Sequence, residues 1–541
     1  MILSVHAARV ETPTVDEFAH VPAGCAYWKY GRLDLYCKNP PLLRFWMALP
    51  VVLDRGVNIP EIADPSWDWG PWLYGVRFMN ANRPGYFDLF FRARLMIIPL
   101  GLATALLLYR WGDEVFGRYP AAIVTSWFLL LPPVLAHAHL ATTDVGCMFS
   151  VFLSLFVFRW AYQRPGTRRF LVAGAVWGLA LLIKFTALLL LPLLVGLAVL
   201  YRLRSEGKTG PSRALKAGGD VAVLLFSAWL VINLGMGFKG TLRPLGGYTF
   251  SSSFCEKVQT VLPAWLPIPL PEDYVIGFDG QKMDAESGEF GSYLLGQWSQ
   301  GGRWYYNLVA LGVKLPLPFL AAIGAGLWLW LRRPLEVCER WTVLAPAAVL
   351  LVALSLLSRL NLGIRYLLPV VPFLFLLTGA LWARVGASPR RWLRWTPFAV
   401  LAHAGITAAA AHPNYLAYFN LIAGGPAGGQ EWLVDSNLDW GQDLYRVREA
   451  VRPFAGDGPI RLLYFGHVDP ELYGIRYGPV PAEPVQDVIA ISMNYLVGNP
   501  YVVITPDGKV RHVLRNHTAW LHGYRPVRRV GSMVIFDTRE P

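Results

Sequence analysis

Charge is scarce in this sequence: Asp, Glu, Lys and Arg together supply 16% of its 541 residues, against roughly 25% in an ordinary soluble domain. With 54% of the residues hydrophobic, the chain lacks the polar side chains to cover a globular surface, and a wholly water-soluble protein is excluded. Cysteine is rarer still, five residues, which excludes a scaffold stapled by many disulfides. No internal repeat or low-complexity tract is visible, so solenoid arrays are excluded as well. Also missing are the serial runs of alternating polarity that a membrane β-barrel needs. The apolar residues fall instead in blocks close to the roughly 20 residues with which a helix crosses a hydrocarbon core. The expected fold class is a polytopic α-helical membrane protein.

Ten spans are predicted, at 93–111, 119–136, 143–162, 170–184, 186–201, 220–237, 306–331, 341–358, 365–383 and 396–411. Lys184 separates two short runs that also read as one long bent helix. Counting them as two places the basic loops 202–219, 332–340 and 384–395, and the turn with Arg164, Arg168 and Arg169, on one side. By the positive-inside rule that side is the cytoplasm, and merging the pair would set the loops in conflict. The net charge of +13 is therefore mostly a topology signal, and no nucleic-acid partner is expected.

The opposite side receives 1–92, the turns 137–142 and 359–364, the loop 238–305 and the tail 412–541. The expected location is a cell membrane crossed many times, with an extracytoplasmic tail. Cys25 and Cys37 share the first outer segment, where an oxidising compartment would let a disulfide persist if their geometry allows. Cys147 and Cys338 read as embedded and cytoplasmic. Fifteen residues precede Asp16, too few to cross a bilayer, and MILSVHAARV lacks the charged start and apolar length of a signal peptide. Either the next span delivers this outer start or a further helix stands upstream.

The chain divides into a membrane domain, 1–411, and a tail, 412–541. In the first, LLRFWMALPVVL is too short to span and suits an interfacial helix, with Arg44 and Trp46 at headgroup level. The Gly-, Pro- and aromatic-rich loop 238–305 is expected to pack against the other outer loops. In the second, EWLVD reads as a strand, DWGQDLYRVREAVR as a helix and IRLLYFG, DVIAISMNYLVG, YVVITP and SMVIFDT as strands, a small soluble α/β domain. Asp439 followed by Gln442 has the spacing of a capped helix start.

Most residues able to carry chemistry fall on the outer side. Asp16 and Glu17 are adjacent carboxylates before a segment holding His20. One is suited to take a proton from an acceptor hydroxyl while its neighbour orients or tunes it; the bland alternative is a solvated helix start, since TVDE is also a capping pattern. Asp144, in AHAHLATTDVG, is an ionisable residue at a span end, by default a functional candidate, or else a cap. His137 and His139 alone are weak evidence for a metal. Lys184 in LLIKFTALLLLP, Arg365 and Tyr366 in NLGIRYLLPVVPF suit a lipid-linked phosphate, or headgroup snorkelling. In the tail, LVDSNLDWGQDL spaces Asp435, Asn437, Asp439 and Asp443 like a calcium loop, but its Gly441 is one place late and no Glu closes it.

DEFAH followed by KNPPL, AHAHLATTD, LLIKFTALLLLP and RYLLPVVPF together resemble the polyprenyl-phosphate-sugar-dependent glycosyltransferases of the C-type membrane fold. These include protein O-mannosyltransferases and lipid A aminoarabinose transferases; a tail with YFN-x-x-AGGP and DSNLDWGQDL is similar to bacterial mannosyltransferase-like members. The resemblance covers nearly the whole chain. It implies Asp16 as catalytic base, Glu17 as its partner, Asp144 as a second acid in the same cavity, and Lys184 and Arg365 on the donor phosphate; His20 and Tyr366, beside these residues in the chain, are the further candidates for binding substrate. It implies inverting transfer from a polyprenyl phosphate to a protein, lipid or glycan hydroxyl. No cofactor is expected, and a divalent metal finds no support beyond the two histidines. Two departures stand out: relatives have a membrane helix before the Asp-Glu pair, and many have His where Asn39 precedes Pro40 and Pro41. The rival readings are a transporter or lipid flippase, which should carry ionisable residues near mid-membrane, and an inactive scaffold displaying the tail.

Overall fold

The computed structural model describes residues 2–62, 70–204, 211–332 and 337–539. Every described part of the ten apolar blocks is helical or helix-flanked. Four helices are long and apolar enough to cross a membrane: Tyr86–Phe116, Asp144–Gln163, Leu215–Gly235 and Ile364–Gly386. Two further blocks are bent pairs, Arg118–Phe128 with Pro132–Ala138 at 63° and Tyr306–Lys314 with Leu317–Arg332 at 117°. Both bends coincide with prolines, Pro132–Pro133 and Pro316, which remove an amide donor and disfavour helix in the preceding residue. Leu42–Val52, Phe185–Leu200 and Trp341–Leu356 are shorter apolar helices. By length and composition this gives four to six crossings among the described residues, where the hydropathy reading expects ten.

The uncertain block around Lys184 resolves as two elements. The helix Thr167–Leu181 ends, Lys184 is extended with φ −155° and ψ 137°, and a 3₁₀ turn, Phe185–Leu189, leads into the next helix.

The first outer segment is more helical and more buried than a loop. Helix Val15–Tyr30 starts behind Thr14, whose amide donates to Glu17 Oε2 at 2.9 Å, and stops at Gly31, in the left-handed region with φ +65°. It crosses Leu42–Val52 at such close range that a Cβ on Gly24 would sit 2.4 Å from the Arg44 carbonyl oxygen. The apolar run 42–52 is a helix as expected, and Trp46 is surface-exposed. Arg44, however, is fully buried rather than at headgroup level. It donates from Nε to His20 Nδ1 at 3.2 Å, from Nη2 to the Asn39 carbonyl at 2.7 Å, and from Nη1 to the Tyr27 hydroxyl and Tyr36 carbonyl. Those four acceptors bring a guanidinium into the interior that lipid headgroups would otherwise attract.

The tail carries a five-stranded mixed sheet of β1 (Ile460–Leu463), β2 (Tyr477–Pro479), β3 (Val488–Ser492), β4 (Arg528–Val530) and β5 (Met533–Asp537), in the order β2–β1–β3–β5–β4. β1 is parallel to β2 and β3, and β5 antiparallel to β3 and β4. All five side chains of β3 are buried, the mark of a central strand covered on both faces. Val502–Ile504 forms a separate hairpin with Val510–His512. Two expectations fail here. EWLVD is not a strand, and the helix begins only at Val447, after a 3₁₀ turn Leu444–Arg446; Asp439 caps the Gly441 amide instead. The segment between is held by tertiary contacts, which override its local pattern.

An apolar cluster joins tail to bundle, with Trp440, Phe465 and Ile489 packed in one core with Leu135, Leu140, Tyr306 and Val313. Cys25 and Cys37 are both free thiols. Cys25 lies inside the packed helix Val15–Tyr30, and the Cys37 thiol donates to the Asp34 carbonyl at 3.4 Å.

Candidate active site

Three helix ends meet at one level of the bundle: Asp144 opens its helix, Lys184 follows the end of another, and Arg365 lies in the 3₁₀ turn Ile364–Val370 that leads into a third. Asp16, in the first turn of Val15–Tyr30, approaches from the outer segment. Arg365 Nη1 donates to Asp16 Oδ2 at 2.5 Å and lies 3.9 Å from Asp144 Oδ2. Lys184 Nζ donates to Asp144 Oδ1 at 2.6 Å, and Thr142 Oγ1 to Asp144 Oδ2 at 3.1 Å. The result is a chain of alternating charge, Asp16–Arg365–Asp144–Lys184, assembled from residues up to 349 positions apart. Asp144 is buried, whereas the Asp16 carboxylate remains 20% exposed and is the acid within reach of an incoming group.

Tyr366 lies under both cations, with Lys184 Nζ 4.9 Å and Arg365 Cζ 5.1 Å from its ring centre. Cation–π contact of this kind holds desolvated charge at a cost well below that of an apolar wall. His20 is buried beside the cluster, stacked on Tyr36 at 5.1 Å. Burial first, then the Arg44 guanidinium, hold its pKa well below the usual imidazole range. His20 is therefore neutral, with Nδ1 fixed as an acceptor by Arg44.

Glu17 does not share this site. Its carboxylate is completely buried and turned to Arg94, accepting from Nε and Nη2 at 2.7 Å each. It also accepts from the Ala141 amide at 2.7 Å and from Thr14. Burial pushes its pKa up, but Arg94 and these hydrogen bonds outweigh burial and hold it below the usual carboxylate value. Glu17 thus ties the Asp16 helix to the Tyr86–Phe116 span and to the turn before Asp144.

His139 is engaged by Glu11 Oε2 at 2.9 Å and the Leu135 carbonyl at 2.7 Å, while neither ring nitrogen of His137 finds a hydrogen-bond partner among the described residues. Among the described residues no group of three or more His, Cys, Asp or Glu is placed to hold a metal ion.

One participant was not anticipated. Trp440, from the tail, covers the guanidinium of Arg365 with its ring centre 4.4 Å from Cζ. Asp435, in the same tail segment, adds its field to Arg365; burial, before any other influence, raises the Asp435 pKa. The LVDSNLDWGQDL motif is visible in the sequence, where it reads as a strand, a loop and a capped helix with an incomplete calcium-loop spacing, and nothing in it marks an aromatic cover.

No curated relative matches the chain. Among solved structures, that of ArnT from Cupriavidus metallidurans bound to undecaprenyl phosphate is 14% identical, with 99% of this chain and 96% of that chain covered and a TM-score of 0.47. That of the archaeal oligosaccharyltransferase AglB from Archaeoglobus fulgidus, in complex with an inhibitory peptide and a dolichol-phosphate, is 12% identical, with 95% and 73% covered and a TM-score of 0.41. Residues 88–232, which hold Arg94, Asp144 and Lys184 but neither Asp16 nor Arg365, match a sequence family. Over that stretch the chain is similar to the dolichyl-phosphate-mannose-protein mannosyltransferases.

Proposed function

We propose that the protein is a membrane glycosyltransferase that moves a sugar from a polyprenyl-phosphate donor to an acceptor hydroxyl at the outer face. The observation that carries this reading is the juxtaposition of a partly exposed carboxylate, Asp16, with two cations, Arg365 and Lys184, around buried Asp144. Transfer from a sugar phosphate needs a base for the acceptor proton and positive charge for the phosphate that leaves. The family similarity over 88–232 supports the same chemistry.

In this reading Lys184 serves the donor phosphate as a point charge and Arg365 as a fork. Asp16 accepts the proton of the acceptor hydroxyl as its oxygen attacks the sugar C1. The C1–O bond to phosphate breaks from the opposite side, inverting C1, and polyprenyl phosphate departs with the electron pair. Asp144 keeps the two cations converged when no phosphate is present. Tyr366 and neutral His20 line the approach, and the tail faces the same extracytoplasmic side.

The test is Asp16→Asn in purified, reconstituted protein supplied with polyprenyl-phosphate monosaccharides. Removing a general base costs about 100- to 10,000-fold in rate, whereas a changed helix start costs about 1 kcal/mol of stability. Folded Asp16→Asn protein with near wild-type turnover would remove Asp16 from the mechanism.

A further inference from the structure

Two short stretches bring Asp16 and Arg365 to their places, residues 12–15 and 362–364, and the tail segment 435–445 is hydrogen-bonded to both. On the Asp16 side, the Val15 amide donates to the Trp440 carbonyl at 3.1 Å and the Thr12 amide to the Gln442 carbonyl at 3.0 Å. The Tyr445 amide returns a bond to Thr12 Oγ1 at 3.1 Å. On the Arg365 side, the Ile364 amide donates to Asn437 Oδ1 at 2.9 Å, and Ser436 Oγ donates to the Leu362 carbonyl. Approach there is so close that a Cβ on Gly363, whose φ is +151°, would meet Ser436 Oγ at 2.4 Å.

The segment itself is anchored in the bundle by buried Lys314, whose Nζ donates to the Asn437 carbonyl at 2.7 Å and to the Leu416 and Tyr418 carbonyls. Between the two sets of bonds stands Trp440, 2% exposed, with one neighbour the guanidinium of Arg365 and the other the ring of His137 at 6.1 Å.

We propose that this tail segment is the positioning element of the donor site, with Trp440 holding the Arg365 guanidinium in the plane and direction in which it meets a lipid-linked phosphate. The inference rests on the donor reading given above and assigns the tail a part in it. A guanidinium with one face on an indole keeps its N–H groups on the edge, where Nη1 meets Asp16 and Nε has no hydrogen-bond partner among the described residues, and loses less rotamer freedom when a phosphate binds. Trp440 acts through Arg365 and is a positioning residue. The backbone bonds to 12–15 extend the same control to Asp16, so base and cation are set by one segment.

The experiment measures undecaprenyl phosphate binding by native mass spectrometry of the full chain, with phosphatidylglycerol as a lipid of like charge, for Trp440→Phe, Trp440→Met and Arg365→Ala. Phe and Met are both apolar and close in size, but only Phe offers a π face. A guanidinium no longer held by the indole must be ordered when the phosphate binds, which corresponds to up to about a tenfold loss of affinity. Trp440→Met is therefore expected to weaken undecaprenyl phosphate binding about tenfold and Trp440→Phe to stay within about threefold of wild type. Phosphatidylglycerol binding is expected to be unchanged in both.

Equal affinities for the Phe and Met variants, with Arg365→Ala weakened, would overturn the positioning role and leave the donor reading standing. Unchanged affinity in Arg365→Ala would remove the donor reading itself, and this inference with it. If Trp440→Met does not fold, Trp440→Leu poses the same contrast with Phe.

Discussion

Replacing Glu17 with glutamine separates two roles that the Asp-Glu pair allows. Five hydrogen bonds converge on this carboxylate: from Arg94 Nε and Ala141 N to Oε1, and from Arg94 Nη2, Thr14 N and Thr14 Oγ1 to Oε2. A carboxamide has one oxygen, so whichever way it is turned its NH₂ group faces at least two of these donors. A buried donor left without an acceptor costs about 1–3 kcal/mol, and a guanidinium left without its buried counter-charge raises the total to about 3–5 kcal/mol. An exposed ion pair would contribute no more than about 1 kcal/mol, but both members here are buried.

The expected result is therefore a large loss of resistance to heat and to SDS, measured on purified protein, for Glu17→Gln and for Arg94→Ala alike. The double variant Glu17→Met with Arg94→Met should lose much less than the two single losses added, because no unpaired charge remains. The acid dependence provides a second check. The Glu17 pKa is depressed below its ordinary value of 4.5 in the folded protein, so its contribution is present above that value and is lost as pH falls through the depressed one. Glu17→Gln should lack this acid-sensitive component. A variant within about 1 kcal/mol of wild-type stability that had nevertheless lost turnover would refute the structural role and restore Glu17 as the partner of the base.

Three further outcomes follow from other contacts. Lys184→Ala is expected to raise the apparent donor constant more than it slows transfer from bound donor, since its charge would meet a phosphate present before and after the reaction; unchanged donor affinity in steady-state kinetics would favour a purely structural pairing with Asp144. Arg44→Met should destabilise the outer segment by about 3 kcal/mol or more by orphaning buried acceptors, read by thermal unfolding, and an effect near zero would show that Arg44 is not the strut its four contacts suggest. In the tail, burial raises Asp439 to about 7 and Asp443 to about 6 around a shared Ser532 hydroxyl. Groups raised in the folded state stabilise it fully below their ordinary value of 3.8 and lose that contribution as pH climbs to the folded values, so thermal stability should decline between about pH 4 and 7 and Asp439→Asn should flatten the decline.

Hydropathy and loop charge, read from the sequence alone, determined that this is a helical membrane chain, because lipid demands long apolar blocks with internally satisfied backbone. The same reading singled out Asp144, Lys184 and Arg365 as ionisable side chains at span ends, with capping or headgroup snorkelling as the alternatives, and Asp16 as one of two adjacent carboxylates before the first span. It could not say which carboxylate of the Asp-Glu pair faces the cations. Adjacent helical residues point about 100° apart, and only the position of Arg94, 77 residues on, decides that Glu17 is the one buried. Arg44 read as a headgroup anchor for a like reason: a cation beside an apolar run looks the same whether its acceptors are lipid phosphates or the carbonyls of Tyr36 and Asn39. Trp440 was the least legible, one of 22 tryptophans in a membrane protein rich in them. Its place over Arg365 exists only once the tail has folded back onto the bundle, because a cation–π contact between residues 75 positions apart leaves no periodicity or spacing in the chain that makes it.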